Sequence, residues 1–249
     1  MRTGGRMPGL SHTPPARRTE HLLVPHPARD IAVTAVVLAL TAVIFVAVAT
    51  PRGLAQLQRV DDSFLRLMVD IRSAPLTAAA RFLNLLGLVY VTLPVHIALA
   101  AFLAVRRRWW HLSAFLSAIV LSEVLIGTLK AAYDRPRPLH PLVATSGASF
   151  PSGHSVAAAV TVVAAVIALV PSGRGRAAWG VAAGVFSTVM ALSRVYLGAH
   201  WLSDAVAGVL LGTSCALLAG VVVGLLQRRQ GGYRGRASGR APTLRRAAR

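Results

Sequence analysis

The residues most able to do chemistry in this chain lie in one short stretch, S-R-V-Y-L-G-A-H-W-L-S-D, which covers residues 193–204. His200 and Asp204 are four residues apart, so on a helix they share a face. A carboxylate beside a histidine can keep one ring nitrogen protonated and leave the other free as a nucleophile or base. Arg194 adds a cation whose fork geometry suits phosphate. The stretch favours chemistry on an anion; the alternative is an Arg–Asp pair with a capping histidine at a membrane border.

A second cluster, Pro151-Ser152-Gly153-His154, precedes an apolar segment. If that segment is a helix, its free N–H groups and its dipole favour phosphate at this end. Ser152 can cap the helix, and Gly153 lets the backbone approach an oxygen closely. His154 then stands beside the anion site, where it can act as a general acid. The alternative is a serine cap followed by a histidine without a chemical role.

The third cluster contains Lys130, the only lysine of the chain, and Arg137, which stands just before Pro138. A lysine and an arginine at the end of an apolar segment can bind an anion together. The alternative is that both side chains extend to the membrane interface and bind nothing.

Together the three clusters hold three cations, two histidines and one aspartate. Phosphoryl transfer without a metal needs these parts: a charge clamp, a nucleophile and a proton donor. Only Asp134 and Asp204 supply acids near the motifs, which is fewer carboxylates than a magnesium site usually needs. We therefore predict neither a metal site nor another cofactor.

The composition excludes an ordinary soluble domain, because 55% of the 249 residues are hydrophobic and only 14% are charged. A net charge of +19 can indicate nucleic acid binding. Here, however, the arginines lie in the two ends and in short segments between apolar runs, which is typical of membrane topology. The expected partner is the bilayer, and no nucleic acid is expected. Cys215 is the only cysteine, so no disulfide can form within the chain.

We predict an all-α, polytopic membrane protein. Residues 1–30 and 227–249 are rich in arginine and lack apolar periodicity, which favours disordered tails. Residues 51–75 carry apolar side chains at helical spacing, which favours an amphipathic helix in the membrane interface; the alternative is a plain connector. The region 31–226 then forms one six-helix domain. Its predicted membrane-spanning helices are 31–50, 82–105, 112–129, 155–170, 177–196 and 205–226.

The distribution of arginine predicts the orientation in the membrane. Segments 1–30, 106–108, 174–176 and 227–249 are basic and nearly free of acids. With six spans all four fall on the same side, which the positive-inside rule makes cytoplasmic. Both termini are then cytoplasmic, and the three clusters face the extracytoplasmic side.

The motifs K-x6-R-P, P-S-G-H and S-R-x5-H-x3-D together resemble the three-part signature of the type-2 phosphatidic acid phosphatase superfamily, over about residues 60–226. The resemblance implies an integral lipid phosphatase of the plasma membrane with a six-helix core, an extracytoplasmic active site and no cofactor. The implied substrate is a lipid phosphate. It is either a polyprenyl pyrophosphate such as undecaprenyl pyrophosphate, or a lipid of the phosphatidic acid or phosphatidylglycerophosphate type.

The resemblance also implies roles for single residues. His200 is the nucleophile that forms a phosphohistidine, Asp204 orients it, and His154 protonates the leaving group. The implied phosphate clamp consists of Lys130, Arg137, Ser152, Gly153 and Arg194.

Two other functions remain open. One is a haloperoxidase-like enzyme that holds vanadate in the same anion site; its known relatives are soluble, so the apolar segments argue against it. The other is a non-catalytic membrane scaffold of the same fold, which the intact motifs argue against. Vanadate-dependent bromination would favour the first, and failure to release phosphate from any lipid would favour the second.

Overall fold

The computed structural model describes residues 21–238, with side chains described for 21–230, and this part of the chain contains eight α-helices and no strand. The all-α prediction is confirmed, while residues 1–20 and 239–249 of the predicted tails lie outside the described residues. The helices are α1 (Pro27–Ala49), α2 (Pro51–Asp70), α3 (Ala74–Leu86), α4 (Val89–Val105), α5 (Trp109–Tyr133), α6 (Gly153–Leu169), α7 (Arg174–Tyr196) and α8 (Leu202–Ser238).

Four helices are long and apolar enough to cross a membrane, namely α1, α5, α7 and the Leu202–Gln230 part of α8. Helices α3 and α4 meet the same criteria as a pair, but they are bent by 51° relative to each other. Helix α6 is apolar but has only 17 residues. Large apolar side chains cover the outside of the bundle, including Val43, Val105 and Val181, which are 67%, 81% and 68% exposed. Such a surface suits lipid hydrocarbon and would drive association in water.

The second predicted span, 82–105, is not one continuous helix. Helix α3 ends at Leu86, and α4 begins at Val89. At Gly87, between them, an added Cβ would lie 2.2 Å from Cδ2 of His154. The helix is interrupted at a glycine, which is a poor helix former, at the point where its backbone passes against this histidine.

Helix α6 lies at the centre of the bundle and packs against α5, α7 and α8. Its buried face is made mostly of alanine and valine, which permits close approach of neighbouring helices. Two glycines of α8 let the backbones of the two helices touch. An added Cβ at Gly208 would lie 2.6 Å from the carbonyl oxygen of Ser152, and one at Gly212 would lie 2.5 Å from the carbonyl oxygen of Val156. This contact holds the beginning of α6 beside the beginning of α8.

The predicted amphipathic segment 51–75 forms helix α2 over most of its length. Leu54 and Leu57 pack towards α1, and Phe64 packs against α7 and α8. The inner face also carries Asp61, which is only 1% exposed. A buried acid on an amphipathic helix requires partners, and these lie in the region of the three clusters.

Both predicted tails are ordered where they meet the bundle. Leu23 and Val24 are buried, and the Leu23 N–H donates to Gln227 Oε1 at 3.1 Å. Arg228 donates to the Val24 oxygen at 2.7 Å. Helix α8 continues past the predicted boundary at 227 to Ser238, because extending an existing helix is easier than starting one.

Candidate active site

The stretch 193–204 is a helix end followed by a helix start. Helix α7 closes with a Schellman motif: Gly198 N–H bonds to the Val195 oxygen at 2.8 Å, and Ala199 N–H bonds to the Arg194 oxygen at 3.0 Å. Gly198 has φ +65°, a left-handed conformation that glycine adopts without strain. The chain reverses at this residue, and His200 is therefore placed back beside the last turn of α7.

The ring of His200 is buried and bonded on both nitrogens. Its Nδ1 lies 2.8 Å from the Ser149 carbonyl oxygen, which can only accept, so we assign the ring proton to Nδ1. Its Nε2 then carries a lone pair and accepts from Arg137 Nη1 at 3.1 Å. Asp204 Oδ2 is 3.7 Å from Nδ1, which is close enough for electrostatic attraction but too far for a hydrogen bond.

Arg137 and Lys130 converge on the loop that follows α5. Both donate to the Ala148 carbonyl oxygen, Lys130 at 2.7 Å and Arg137 at 3.1 Å. Arg137 also donates to carbonyl oxygens of Ser146, Gly147 and Ala199. Two cations held by neutral carbonyls keep their charge available for an anion. Burial lowers the pKa of Arg137, and the nearby carboxylate of Asp204 opposes that shift.

The P-S-G-H cluster begins α6, as predicted from the sequence. The Ser152 side chain does not cap the helix. Instead, the Ser152 N–H donates to the Asp204 carbonyl oxygen at 3.1 Å. An added Cβ at Gly153 would meet no atom within 4 Å, so the space in front of it is open. His154 places Nε2 at 3.2 Å from the Asn84 carbonyl oxygen.

Arg194 lies in the last turn of α7 and is 2% exposed. Its Nη1 donates to Asn84 Oδ1. Its Nε is buried and has no hydrogen-bond partner among the described residues. A buried donor without a partner is costly, and an anion bound beside it would remove that cost.

The carboxylate of Asp204 is fully buried and has several hydrogen-bond donors besides its electrostatic contact with His200. Its Oδ1 accepts from Arg135 Nη1 at 2.6 Å. Its Oδ2 accepts from Ser149 Oγ and from the Trp201 N–H, the latter at 2.9 Å. Arg135 in turn donates to Asp61 Oδ2 at 2.8 Å, which links α2 to the site.

The structure brings all eight predicted residues to one region, where α5, α6, α7 and α8 begin or end. Four further residues of the site were not predicted from the sequence. Asn84, Arg135 and Ser149 contact the predicted residues, and Asp61 contacts Arg135. Arg135 and Ser149 adjoin the motifs, and an arginine inside R-P-R-P was a usable indication. Asp61 and Asn84 lie on α2 and α3, far from every motif in the sequence.

Comparison with known proteins identifies the family of this chain. A family model described as the PAP2 superfamily matches residues 109–228. The chain is 31% identical over 160 residues to phosphatidylglycerophosphatase B of Bacillus subtilis, covering 62% of this chain and 79% of the relative. It is 36% identical over 128 residues to decaprenylphosphoryl-5-phosphoribose phosphatase of Mycobacterium tuberculosis, covering 49% of this chain and 66% of the relative.

Two solved structures are similar in fold. One is a transmembrane PAP2-type phosphatidylglycerolphosphate phosphatase from Bacillus subtilis, with a TM-score of 0.64, 28% identity, and coverage of 79% of this chain and 96% of that one. The other is LpxE of Aquifex aeolicus, with a TM-score of 0.52, 25% identity, and coverage of 63% and 92%. With its apolar helices and these relatives, the chain is a multi-pass membrane protein. It belongs to the PAP2 superfamily, as the resemblance of its three motifs predicted.

Proposed function

We propose that this protein is an integral membrane phosphatase that hydrolyses a phosphomonoester or pyrophosphate of a lipid through a phosphohistidine. The observation that carries the proposal is the state of His200. One ring nitrogen is committed to the Ser149 carbonyl, and the other offers its lone pair beside the Arg137 guanidinium. A nucleophile placed next to a cation can attack the phosphorus atom of a phosphate that the cation holds.

In the proposed reaction, the substrate phosphate lies between Lys130, Arg137, Arg194 and the open space at Gly153. His200 Nε2 attacks phosphorus while the bond to the leaving oxygen breaks. His154 gives that oxygen a proton and then removes a proton from the water that attacks the phosphohistidine. The products are the dephosphorylated lipid and inorganic phosphate, and both histidines return to their starting states.

The proposed substrate class is wider than one lipid. The names of the relatives include a phosphatidylglycerophosphatase and a decaprenylphosphoryl-5-phosphoribose phosphatase. Phosphatidylglycerophosphate, phosphatidic acid, decaprenylphosphoryl-5-phosphoribose and undecaprenyl pyrophosphate are therefore the panel to test. That these relatives are phosphatases favours hydrolysis over the haloperoxidase and scaffold alternatives.

We further propose six spans, with α3 and α4 together as the second and α6 as a short fourth. Seventeen residues of helix extend about 25 Å, slightly less than the hydrocarbon core. Since α6 is surrounded by α5, α7 and α8, its ends need not reach both lipid surfaces. The termini are then cytoplasmic, and the site faces outward at the cell membrane.

The decisive experiment measures phosphate release by purified protein over that lipid panel. His200→Ala should abolish release and lose the radiolabelled phosphoenzyme, which for a phosphohistidine is stable to alkali and labile to acid. The matched control is His140→Ala, because His140 is an exposed histidine of the loop after α5. Substantial release by the His200 variant, or no release by the wild type from any lipid, would contradict the proposal.

Metal independence is a separate prediction. The two acids that the structure brings to the site, Asp61 and Asp204, are both paired with Arg135, which leaves no free carboxylate pair for magnesium. We expect full activity in excess EDTA and inhibition by vanadate, which would occupy the phosphate clamp. A strict requirement for added magnesium would show that this mechanism is wrong.

A further inference from the structure

The buried network around Arg135 extends well beyond the three motifs. Nη1 of Arg135 donates to Asp204 Oδ1 at 2.6 Å and to Ser203 Oγ at 2.7 Å. Nη2 donates to Asp61 Oδ2 at 2.8 Å and to Gln58 Oε1 at 2.7 Å. One guanidinium thus joins the aspartate beside His200 to two side chains of α2. Only arginine has the planar fork that can make all of these bonds at once.

Asp61 also caps the helix that carries Asp204. Its Oδ1 accepts from the Ser203 N–H at 2.8 Å, and its Oδ2 accepts from Ser203 Oγ at 2.6 Å. The first N–H groups of a helix need partners, and the preceding residue, Trp201, has no side-chain oxygen to supply one. Asp204 reaches back to the Trp201 N–H, as in half of a capping box. Asp61 supplies the missing half from another helix.

The charges of this network do not cancel. Asp61 and Asp204 are two carboxylates that share the single guanidinium of Arg135, and all three residues are buried. If Arg135 were paired with Asp204 alone, it would neutralise the aspartate beside His200. Because Asp61 shares the positive charge of Arg135, the carboxylate of Asp204 is only partly neutralised. Its remaining negative charge faces the imidazole of His200, which becomes cationic when it is phosphorylated.

We infer that Asp61 is a positioning residue, which acts through Arg135 and Ser203 to fix the carboxylate of Asp204 and to preserve its charge beside His200. This inference rests on the proposed function. It assigns a catalytic consequence to α2, a helix that carries none of the motif residues.

The first test is Asp61→Asn, which keeps the shape of the side chain and removes its charge. We expect kcat to fall roughly 10- to 100-fold, as for other residues that orient a catalytic group. KM should stay within about 2-fold, because substrate binding to the cationic clamp is untouched. Asp70→Asn is the matched control, since Asp70 is an exposed acid at the end of the same helix and should keep wild-type kcat. Unchanged kcat in Asp61→Asn would overturn the inference.

A double-mutant cycle separates positioning from general support of the fold. If Asp61 acts through Asp204, the variant with Asp61→Asn and Asp204→Asn should be no slower than Asp204→Asn alone. If Asp61 merely supports the fold, the two losses of kcat should multiply. Multiplied losses would contradict the inference.

If Asp61→Asn does not fold, Asp61→Glu replaces it, because it keeps the charge and moves the carboxylate by one methylene. A lowered kcat at unchanged KM and unchanged unfolding temperature supports the inference, and wild-type kcat overturns it.

If the wild type cleaves no lipid, the proposed function fails, and NMR of the His200 ring nitrogens in detergent decides whether Asp61 acts on the site. Their resonances should shift in Asp61→Asn but not in Asp70→Asn, and unshifted resonances would overturn the inference.

Discussion

At the scale of single residues, the environment of His200 favours the form that can attack. Burial lowers the pKa of His200 to about 4, Asp204 opposes this shift, and the charges of Arg137 and Arg194 reinforce it. A histidine with a lowered pKa is neutral near pH 7, so its free nitrogen keeps a lone pair. Nδ1–H of His200 donates to the Ser149 carbonyl oxygen, and this leaves the lone pair on Nε2, which faces Arg137.

This pKa predicts the acid side of the pH profile. Protonation removes the lone pair of His200, so activity should be retained at pH values above its pKa and lost below it. We expect kcat/KM, corrected for ionisation of the substrate phosphate, to show an acid limb near pH 4, below which it falls about tenfold per pH unit. Because His154 must be protonated to act as the acid, its loss of a proton sets a separate alkaline limb. The measurement is initial rates after brief exposure to each pH, with recovery at pH 7 as the control for unfolding. An acid limb at the ordinary pKa of histidine, about 6.5, would contradict the assigned environment.

At the scale of elements, helix ends carry the site. Helix α7 ends, α8 begins, and α6 begins within a few residues of the histidines and of Asp204. The spacing S-R-x5-H follows from this: Arg194 occupies the last turn of α7, and the reversal at Gly198 returns the chain to it. The glycines of α8 bring α6 against α8, and this contact keeps the Ser152 N–H within hydrogen-bond distance of the Asp204 carbonyl oxygen.

Gly198→Ala tests the helix end. An L-residue at φ +65° costs about 1–2 kcal/mol, so the variant should unfold at a lower temperature in detergent. It should also lose activity, because the same turn places His200. Gly180→Ala is the control: this glycine lies inside α7, an added Cβ would meet nothing within 4 Å, and alanine there should be neutral or stabilising by about 0.5–1 kcal/mol. Equal unfolding temperatures for the two variants would show that the turn does not need glycine.

At the scale of the whole molecule, the site lies at one end of the bundle. The loop after α5, the start of α6 and the end of α7 meet there, whereas the loop between α6 and α7 and the ordered part of the N-terminal tail meet at the other end. A phosphatase with its site on the outer side would act on lipid headgroups exposed outside the cytoplasm. Recycling of a polyprenyl carrier and removal of phosphate from outward-facing phospholipids both fit that placement.

Cysteine labelling in intact cells tests the sidedness. In a Cys215→Ser background, a cysteine introduced by Ala144→Cys should react with a membrane-impermeant maleimide. One introduced by Ser172→Cys should react only after permeabilisation. Both positions are exposed and lie at opposite ends of the bundle, so accessibility within the fold does not separate them. The reverse labelling pattern would overturn the orientation and the carrier-recycling role, while the phosphatase chemistry could still hold.

The sequence by itself determined the features that depend on local pattern. Apolar segments of sufficient length predicted an all-helical membrane protein, and three short motifs predicted the residues that meet at the site. The same reasoning predicted one continuous second span and tails disordered up to residue 30 and from residue 227. The structure differs from these predictions in the break at Gly87 and in the ordering of Leu23 against Gln227, because both features depend on contacts with distant parts of the chain.

Only the tertiary structure decided which residues outside the motifs serve the site. Asp61 contacts Arg135 across 74 positions of sequence, and Asn84 contacts Arg194 across 110. Asp61 follows the helical spacing of Leu57 and Phe64, so the pattern could place it on the inner face of α2, but no pattern shows that Arg135 is its partner. Hydrophobic pattern fixes which face of a helix turns inward, whereas the partner of a buried charge depends on how the helices are arranged around it.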